Sequence, residues 1–211
     1  MSEKKNLQNW KIILKMKPDK KNYEKYMQAF IKQNSRVNLI SKNDEKFLWE
    51  KHIFDSLAIG AVFDKYGMPA SLLDIGTGGG FPAVPIALEY PEIEVYALDS
   101  IRKKINAIEN IKSELDINNL HTICERAEKI TEKFDMVTSR AVAPLKVITE
   151  YAIPRLKPDG IFVAYKSLKT QEEISDAAGI LKKYNAKVAD VIEYSLPLNE
   201  KLTRNLIVIN I

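Results

Sequence analysis

The chain reads as an α/β protein built on a mostly parallel sheet, because short apolar runs alternate with helical periods from residue 70 onward. Two further observations point the same way. The first apolar run, Ser71 to Ile75, breaks into four glycines within five positions, Gly76, Gly78, Gly79 and Gly80. The last two runs, Val188 to Tyr194 and Asn205 to Ile211, are joined by a Pro197-containing link with no helical period, so they pair antiparallel.

The elements follow in order. Tyr23, Tyr26, Met27, Phe30 and Ile31 recur at i, i+3, i+4, i+7 and i+8, an apolar stripe with lysines opposite. Ser41-x-x-Asp44 can cap a second helix running to about Tyr66, with Phe47, Leu48, Ile53, Phe54, Leu57 and Ala58 inward. Gly67, Pro69 and Ser71 mark a junction, which divides a helical, basic lobe (1–66) from a sheet domain (67–211). Seven strands are predicted at 71–76, 93–99, 120–124, 134–139, 160–166, 187–194 and 204–211, with helices near 82–90, 101–116, 144–155 and 170–184. Pro82 suits a first helical turn, where its missing N–H costs nothing. Ile101, Ile105, Ile108, Ile111 and Leu115 line the buried face of the 101–116 helix.

A length of 211 residues suffices for one sizeable core. The single cysteine, Cys124, excludes an internal disulfide framework, and no signal peptide or spanning apolar stretch is present, so a cytoplasmic location is expected. The charge is uneven: residues 1–66 carry 14 Lys+Arg against 8 Asp+Glu, and residues 67–211 carry 18 against 20. Most of the excess lies in Lys4, Lys5, Lys11, Lys15, Lys17, Lys20, Lys21, Lys25 and Lys32, an asymmetry that fits either a polyanionic substrate such as RNA or a solvated helix face. No metal is expected.

The glycine turn is a place for a ligand to lie against main chain. Asp99 closes the second apolar run, where an acid at a strand's carboxyl end accepts from ribose hydroxyls, or else caps the next helix beside Ser100. The dinucleotide fingerprint G-x-G-x-x-G is broken at Phe81, and G-x-x-x-x-G-K-[ST] is absent, so a nucleoside cofactor without phosphates is favoured. Asp74 to Gly78, read as D-x-G-x-G with an apolar Phe81 behind it, resembles the first motif of class I S-adenosylmethionine-dependent methyltransferases, whose Rossmann-like sheet also ends in an antiparallel hairpin.

Longer segments resemble one family within that class. Val37-Asn38-Leu39-Ile40-Ser41, Trp49 to Leu57 with its His-x-x-Asp-Ser, Leu73 to Pro82, Leu98-Asp99-Ser100, Arg126-Ala127-Glu128 and Thr138-Ser139-Arg140-Ala141-Val142-Ala143 are similar, in order and spacing, to the RsmG/GidB family of bacterial small-subunit ribosomal RNA methyltransferases. The resemblance covers roughly residues 35–167. It implies methyl transfer from S-adenosylmethionine, leaving S-adenosylhomocysteine, to N7 of a guanine in the 530 loop of 16S rRNA, either free or in the 30S subunit, by a cytoplasmic monomer. It also places Ala127 and Glu128 at the adenine edge.

The residues agree with that chemistry. Guanine N7 has a lone pair and no proton, so no general base is needed, only placement. No Asn/Asp-Pro-Pro-aromatic turn follows the fourth strand, and Cys124, inside a predicted strand, reads as a buried apolar residue rather than a nucleophile. The expected cofactor residues are Asp74, Gly76, Gly78, Phe81, Asp99, Ala127, Glu128 and Arg140. Arg140, nearest the reaction centre, can hold the cofactor carboxylate, donate to guanine O6, or make an ordinary salt bridge; the first is preferred, since a cation beside O6 would oppose the charge that methylation creates. Lys166 reads equally as a phosphate contact or a solvated lysine. His52, Asp55 and Ser56 share one helical face, fitting an interdomain network or substrate positioning. Arg36 and Asn38 are expected to face RNA. Two other readings remain: an RNA-binding module with a non-catalytic cofactor fold, against which the intact Asp74, Gly76, Gly78 and Asp99 count, and a small-molecule methyltransferase, which would need no basic lobe.

Overall fold

The computed structural model describes residues 10–11, 18–167, 169–200 and 202–211. Its strands are β1 (Trp10–Lys11), β2 (Ser71–Ile75), β3 (Glu94–Leu98), β4 (Leu120–Ile123), β5 (Phe134–Arg140), β6 (Leu156–Lys166), β7 (Lys187–Ser195) and β8 (Thr203–Asn210), forming one sheet in the order β1-β7-β8-β6-β5-β2-β3-β4. The pairs β2–β3, β3–β4, β2–β5 and β5–β6 are parallel, and β8 runs antiparallel to both β6 and β7. The seven expected strands are therefore present with the expected directions. An eighth, β1, pairs parallel with β7 over two residues, Trp10↔Ile192 and Lys11↔Glu193, too short to leave a periodic signal.

Both faces of the sheet are covered, which is why its central strands are continuously apolar rather than alternating. Leu72, Val95 and Val163 face one core with Phe30, Val62, Val84 and Ile108; Leu73, Val137, Phe162 and Ile207 face the other with Leu145, Ile148, Ala177 and Leu181. The first core is covered by α1 (Glu24–Val37), α3 (Gly60–Tyr66), α4 (Ala83–Glu89) and α5 (Arg102–Glu114), and the second by α6 (Leu145–Ala152), α7 (Thr170–Asp176) and α8 (Ala178–Lys183). The first core passes without interruption from Tyr23 and Phe30 to Phe81 and Val208, across the junction near residue 67.

Four local expectations are corrected. On α1, Ile31 is exposed and Gln33 and Asn34 are buried instead, because they have partners: Asn110 Nδ2 donates to Gln33 Oε1 at 3.2 Å, and Asn34 donates to Glu45 Oε1 at 2.7 Å while accepting the Ile40 N–H at 2.8 Å. Ile101 is exposed, since its extended backbone puts it outside α5. The predicted 170–184 helix is two helices meeting at the fully buried Ala177.

The predicted second helix also breaks up. Its start is as expected, with Ser41 Oγ accepting the Asp44 N–H at 3.2 Å and donating to Asp44 Oδ2 at 2.7 Å. Beyond it the chain makes a 3-10 turn (Glu45–Phe47), a π-turn (Leu48–Ile53), α2 (Phe54–Leu57) and only then α3. Ser56 Oγ donates back to His52 O at 2.6 Å, a bond that competes with regular helix and bends it. Gly60, opening α3, lies so close to Tyr90 that a Cβ there would meet the phenolic oxygen at 2.7 Å. Among the described residues no helix is long and apolar enough to cross a membrane.

Candidate active site

The site begins where β2 ends. Gly76 and Gly78 take φ of +72° and +59°, a region that side chains with a Cβ rarely enter. The loop is tied to the neighbouring strand: Gly76 N–H and Thr77 N–H both donate to Leu98 O, at 2.8 and 2.9 Å, and Gly78 N–H donates to Asp99 Oδ2 at 3.0 Å. A Cβ on Gly76 would stand 2.4 Å from Val142 Cγ2, so the loop after β5 lies directly on this glycine. Together these pieces wall a cavity of about 560 Å³, whose lining includes Gly76, Gly78, Phe81, Asp99, Ala127, Glu128 and Arg140. Seven of the eight residues expected around a cofactor are thus gathered at one opening.

Asp99 makes the helix-entry contact of its two readings. Its Oδ1 accepts the Ile101 N–H at 2.9 Å, an Asx-type turn that sets the entry to α5, while Oδ2 holds Gly78. Each carboxylate oxygen has a second acceptor direction, so a vicinal diol can still be met. Asp74, the eighth residue, does not reach the cavity wall. It is fully buried beneath the glycine loop, where Thr138 Oγ1 donates to its Oδ1 at 3.0 Å. Burial pushes its pKa up to about 6, with Thr77, Thr138 and Arg140 pulling the other way.

Arg140, at the end of β5, points to neither ligand alone. Its Nη1 donates to Asp55 Oδ2 at 2.8 Å and to Lys51 O at 3.0 Å, its Nη2 lies 3.1 Å from His52 Nδ1, and its guanidinium carbon sits 5.2 Å from the centre of the Phe81 ring. Asp55 is closed from the other side by Tyr194, whose hydroxyl donates to Oδ1 at 2.6 Å. The salt bridge is therefore the contact the fold makes. It ties the segment before the sheet to β5 and β7 at once, leaving part of the guanidinium fork toward the cavity. His52, Asp55 and Ser56 contact the sheet through Arg140 on β5 and through Tyr165 on β6, which donates to Ser56 O at 2.7 Å.

His52 accepts from Arg140 at Nδ1, which places its proton on Nε2. Burial and the neighbouring guanidinium lower its pKa to about 4, so the ring is neutral at neutral pH. The ring packs on Phe81 at 5.0 Å between centres, and Phe81 in turn contacts Phe30 at 5.1 Å.

Other expectations are placed elsewhere. Arg36 and Asn38 are exposed and line neither this cavity nor the one beside it. Asn38 stands in the left-handed conformation (φ 60°) that closes α1, its N–H on Asn34 O, which accounts for an asparagine there. Lys166 is neither solvated nor free for a phosphate: its side chain is largely buried, 2.6 Å from Glu173 and 2.8 Å from Ala143 O. Cys124 is half-buried, near Ser100 O. Of the basic cluster, Lys4, Lys5, Lys15 and Lys17 lie outside the described residues and Lys11 is described only in its backbone; Lys20, Lys21, Lys25 and Lys32 are exposed.

Sequence reasoning missed Tyr194, Leu39, Ile40 and Tyr151. The last three line the cavity from outside any ligand motif, and Tyr194 meets Asp55 across 139 positions of chain, a pairing with no local signal.

Comparison with known proteins agrees with this construction. The family model described as GidB, rRNA small subunit methyltransferase G, matches residues 19–204. The ribosomal RNA small subunit methyltransferase G of Staphylococcus aureus (strain N315) is 34% identical over 183 residues, covering 84% of this chain and 76% of its own length. Among solved structures, the TYW2 of Pyrococcus horikoshii in complex with MeSAdo superposes with a TM-score of 0.58 at 15% identity, over 75% of this chain and 62% of that one. A ribosomal protein L11 methylase of Lactobacillus delbrueckii subsp. bulgaricus does so at 0.55 and 18%, over 72% and 76%. The solved neighbours establish the class I methyltransferase fold, and the matched span carries the glycine turn, Asp99, Ala127-Glu128 and Arg140 together, so the chain belongs to the GidB family of small-subunit rRNA methyltransferases.

Proposed function

We propose that this protein transfers the methyl group of S-adenosylmethionine to N7 of a guanine in the 530 loop of 16S ribosomal RNA, working as a monomer in the cytoplasm. The observation that carries the reading is the cavity at the carboxyl end of β2 and β3, assembled from the segments that place the chain in its family.

The residues present fit a sulfonium nucleoside. Asp99 keeps acceptor capacity for a ribose diol, Ile75, Leu98 and Phe81 supply apolar wall, Ala127 and Glu128 close the far side, and the cavity's lysine, Lys104, belongs to α5, whereas a triphosphate site carries its lysine within the glycine loop as G-x-x-x-x-G-K-[ST]. When bound, S-adenosylmethionine supplies an electrophilic methyl carbon. The chain's task is placement. Gly76 and Gly78 admit close approach to main chain, Asp99 fixes the sugar, and Arg140, held by Asp55 and Phe81, offers its remaining N–H donors to a carboxylate. A neutral His52 beside Arg140 adds no second cation next to a base that becomes positive on methylation.

The test is methyl transfer from tritiated S-adenosylmethionine to 30S subunits from cells lacking this protein, followed by mass mapping of the 16S rRNA. A single new methylguanine in the 530 loop is expected. Transfer to no RNA, or to another nucleotide, would refute the reading. Replacing Asp99 with Ala should weaken cofactor binding at least tenfold by calorimetry while the fold persists.

A further inference from the structure

A second cavity, of about 850 Å³, shares with the cofactor cavity the wall made by His52, Arg140, Ala141 and Val142. We propose that it is the nucleotide subsite, seating the methyl-accepting guanosine with Arg204 on its phosphate and Asp176 on its N1–H and N2–H₂ edge. The proposal deepens the function above and rests on it.

Three observations carry it. In-line transfer needs the accepting nitrogen about 3–3.5 Å from the methyl carbon, so the two substrates must meet across one boundary, and these two cavities have such a boundary. The volume lies inside the roughly 300–1,000 Å³ of small-molecule sites. The charges are the third. Four cations of the lining are neutralised within the fold, Arg140 by Asp55 at 2.8 Å, Lys51 by Asp44 at 3.3 Å, Lys166 by Glu173 at 2.6 Å and Lys169 by Glu172 at 3.5 Å. Arg204 and Asp176 are not: among the described residues neither has an ion-pair partner, and the one hydrogen bond of the Arg204 guanidinium is a 3.4 Å contact to Thr203 O.

An unspent cation and an unspent acceptor in one cavity match a guanosine phosphate. Guanine offers adjacent donors at N1 and N2 to a carboxylate, where adenine offers an acceptor at N1. At the boundary, Ala141 holds a left-handed φ of 56° and Val142 is 42% exposed, so the dividing loop is a strained, apolar partition rather than packed core.

The test uses the full chain and 30S subunits lacking the methyl group, with S-adenosylhomocysteine affinity measured for every variant as a control of fold and cofactor site. Arg204→Ala should raise KM for subunits about tenfold and make the salt dependence of binding shallower by about one unit, with partial rescue by Arg204→Lys. Asp176→Asn should lower kcat/KM about tenfold, in the range of a lost base contact, with product affinity unchanged. Guanosine monophosphate, but not adenosine monophosphate, should inhibit transfer competitively with subunits. Wild-type kinetics in both variants would overturn the subsite while leaving the methyltransferase reading intact. An effect of Arg204→Ala alone would overturn the base seat and leave a phosphate contact. Absence of transfer by the wild-type chain would overturn both readings.

Discussion

Two titratable groups, the buried Asp74 and the half-buried His52, flank the site, and folding moves their protons in opposite senses. Asp74 has its pKa raised to about 6, so the fold favours its protonated form; stability falls as pH rises from about 4 to about 6 and is level above that. A shift of about two units corresponds to roughly 3 kcal/mol. His52 has its pKa lowered to about 4, so the fold favours the neutral ring; its contribution is fully present above about 6.5 and is lost as pH falls toward 4. The two slopes oppose each other in the same window. Urea unfolding at pH 4.5, 5.5 and 7 should therefore show Asp74→Asn becoming more acid-sensitive than wild type and His52→Gln, which keeps an acceptor for Arg140, becoming less so; equal slopes in all three proteins would contradict the burial argument. Gly76 gives a sharper residue-level test. Alanine there meets both a positive φ and Val142 Cγ2 at 2.4 Å, so Gly76→Ala should cost about 1–3 kcal/mol and abolish cofactor binding by calorimetry.

Among elements, the broken helix 45–66 is held to the sheet by two ion pairs, Lys65 with the buried Asp190 of β7 and Arg140 with Asp55, and the second has little solvent access, its side chains being 15% and 6% exposed. Removing one partner strands a buried charge, so Asp55→Ala should destabilise by about 3–5 kcal/mol, and hydrogen exchange should quicken first across α2 and the π-turn. The double change with Arg140→Met should recover part of that loss. The loop after β5 behaves differently: Ala141→Gly relieves a left-handed residue and should raise stability by about 0.4–1 kcal/mol, read as a small rise in Tm.

At the scale of the whole molecule, the segment before residue 67 shares its core with the sheet. Tyr26 and Phe30 contact Phe81, and Lys32 bonds Glu114 on α5 at 2.8 Å. Residues 67–211 expressed alone should bind a hydrophobic dye and show no cooperative melt, whereas a self-sufficient sheet domain would melt sharply. Much of this was legible in the chain. The strand positions, the glycine turn and the acid Asp99 are local patterns, where apolar runs, φ requirements and an acid at a strand end leave marks within a few residues. What escaped was pairing at long range. Nothing near Arg140 announces Asp55, nothing near Asp55 announces Tyr194, and a polar Gln33 inside a buried face is readable only once Asn110 is seen opposite.

The place of β8 between β6 and β7 bears on synthesis. Its eight residues are translated after both neighbours and supply hydrogen bonds to each. A ribosome stalled before Thr203 would thus carry a nascent polypeptide with two open strand edges, a template for aggregation that must be shielded until β8 inserts.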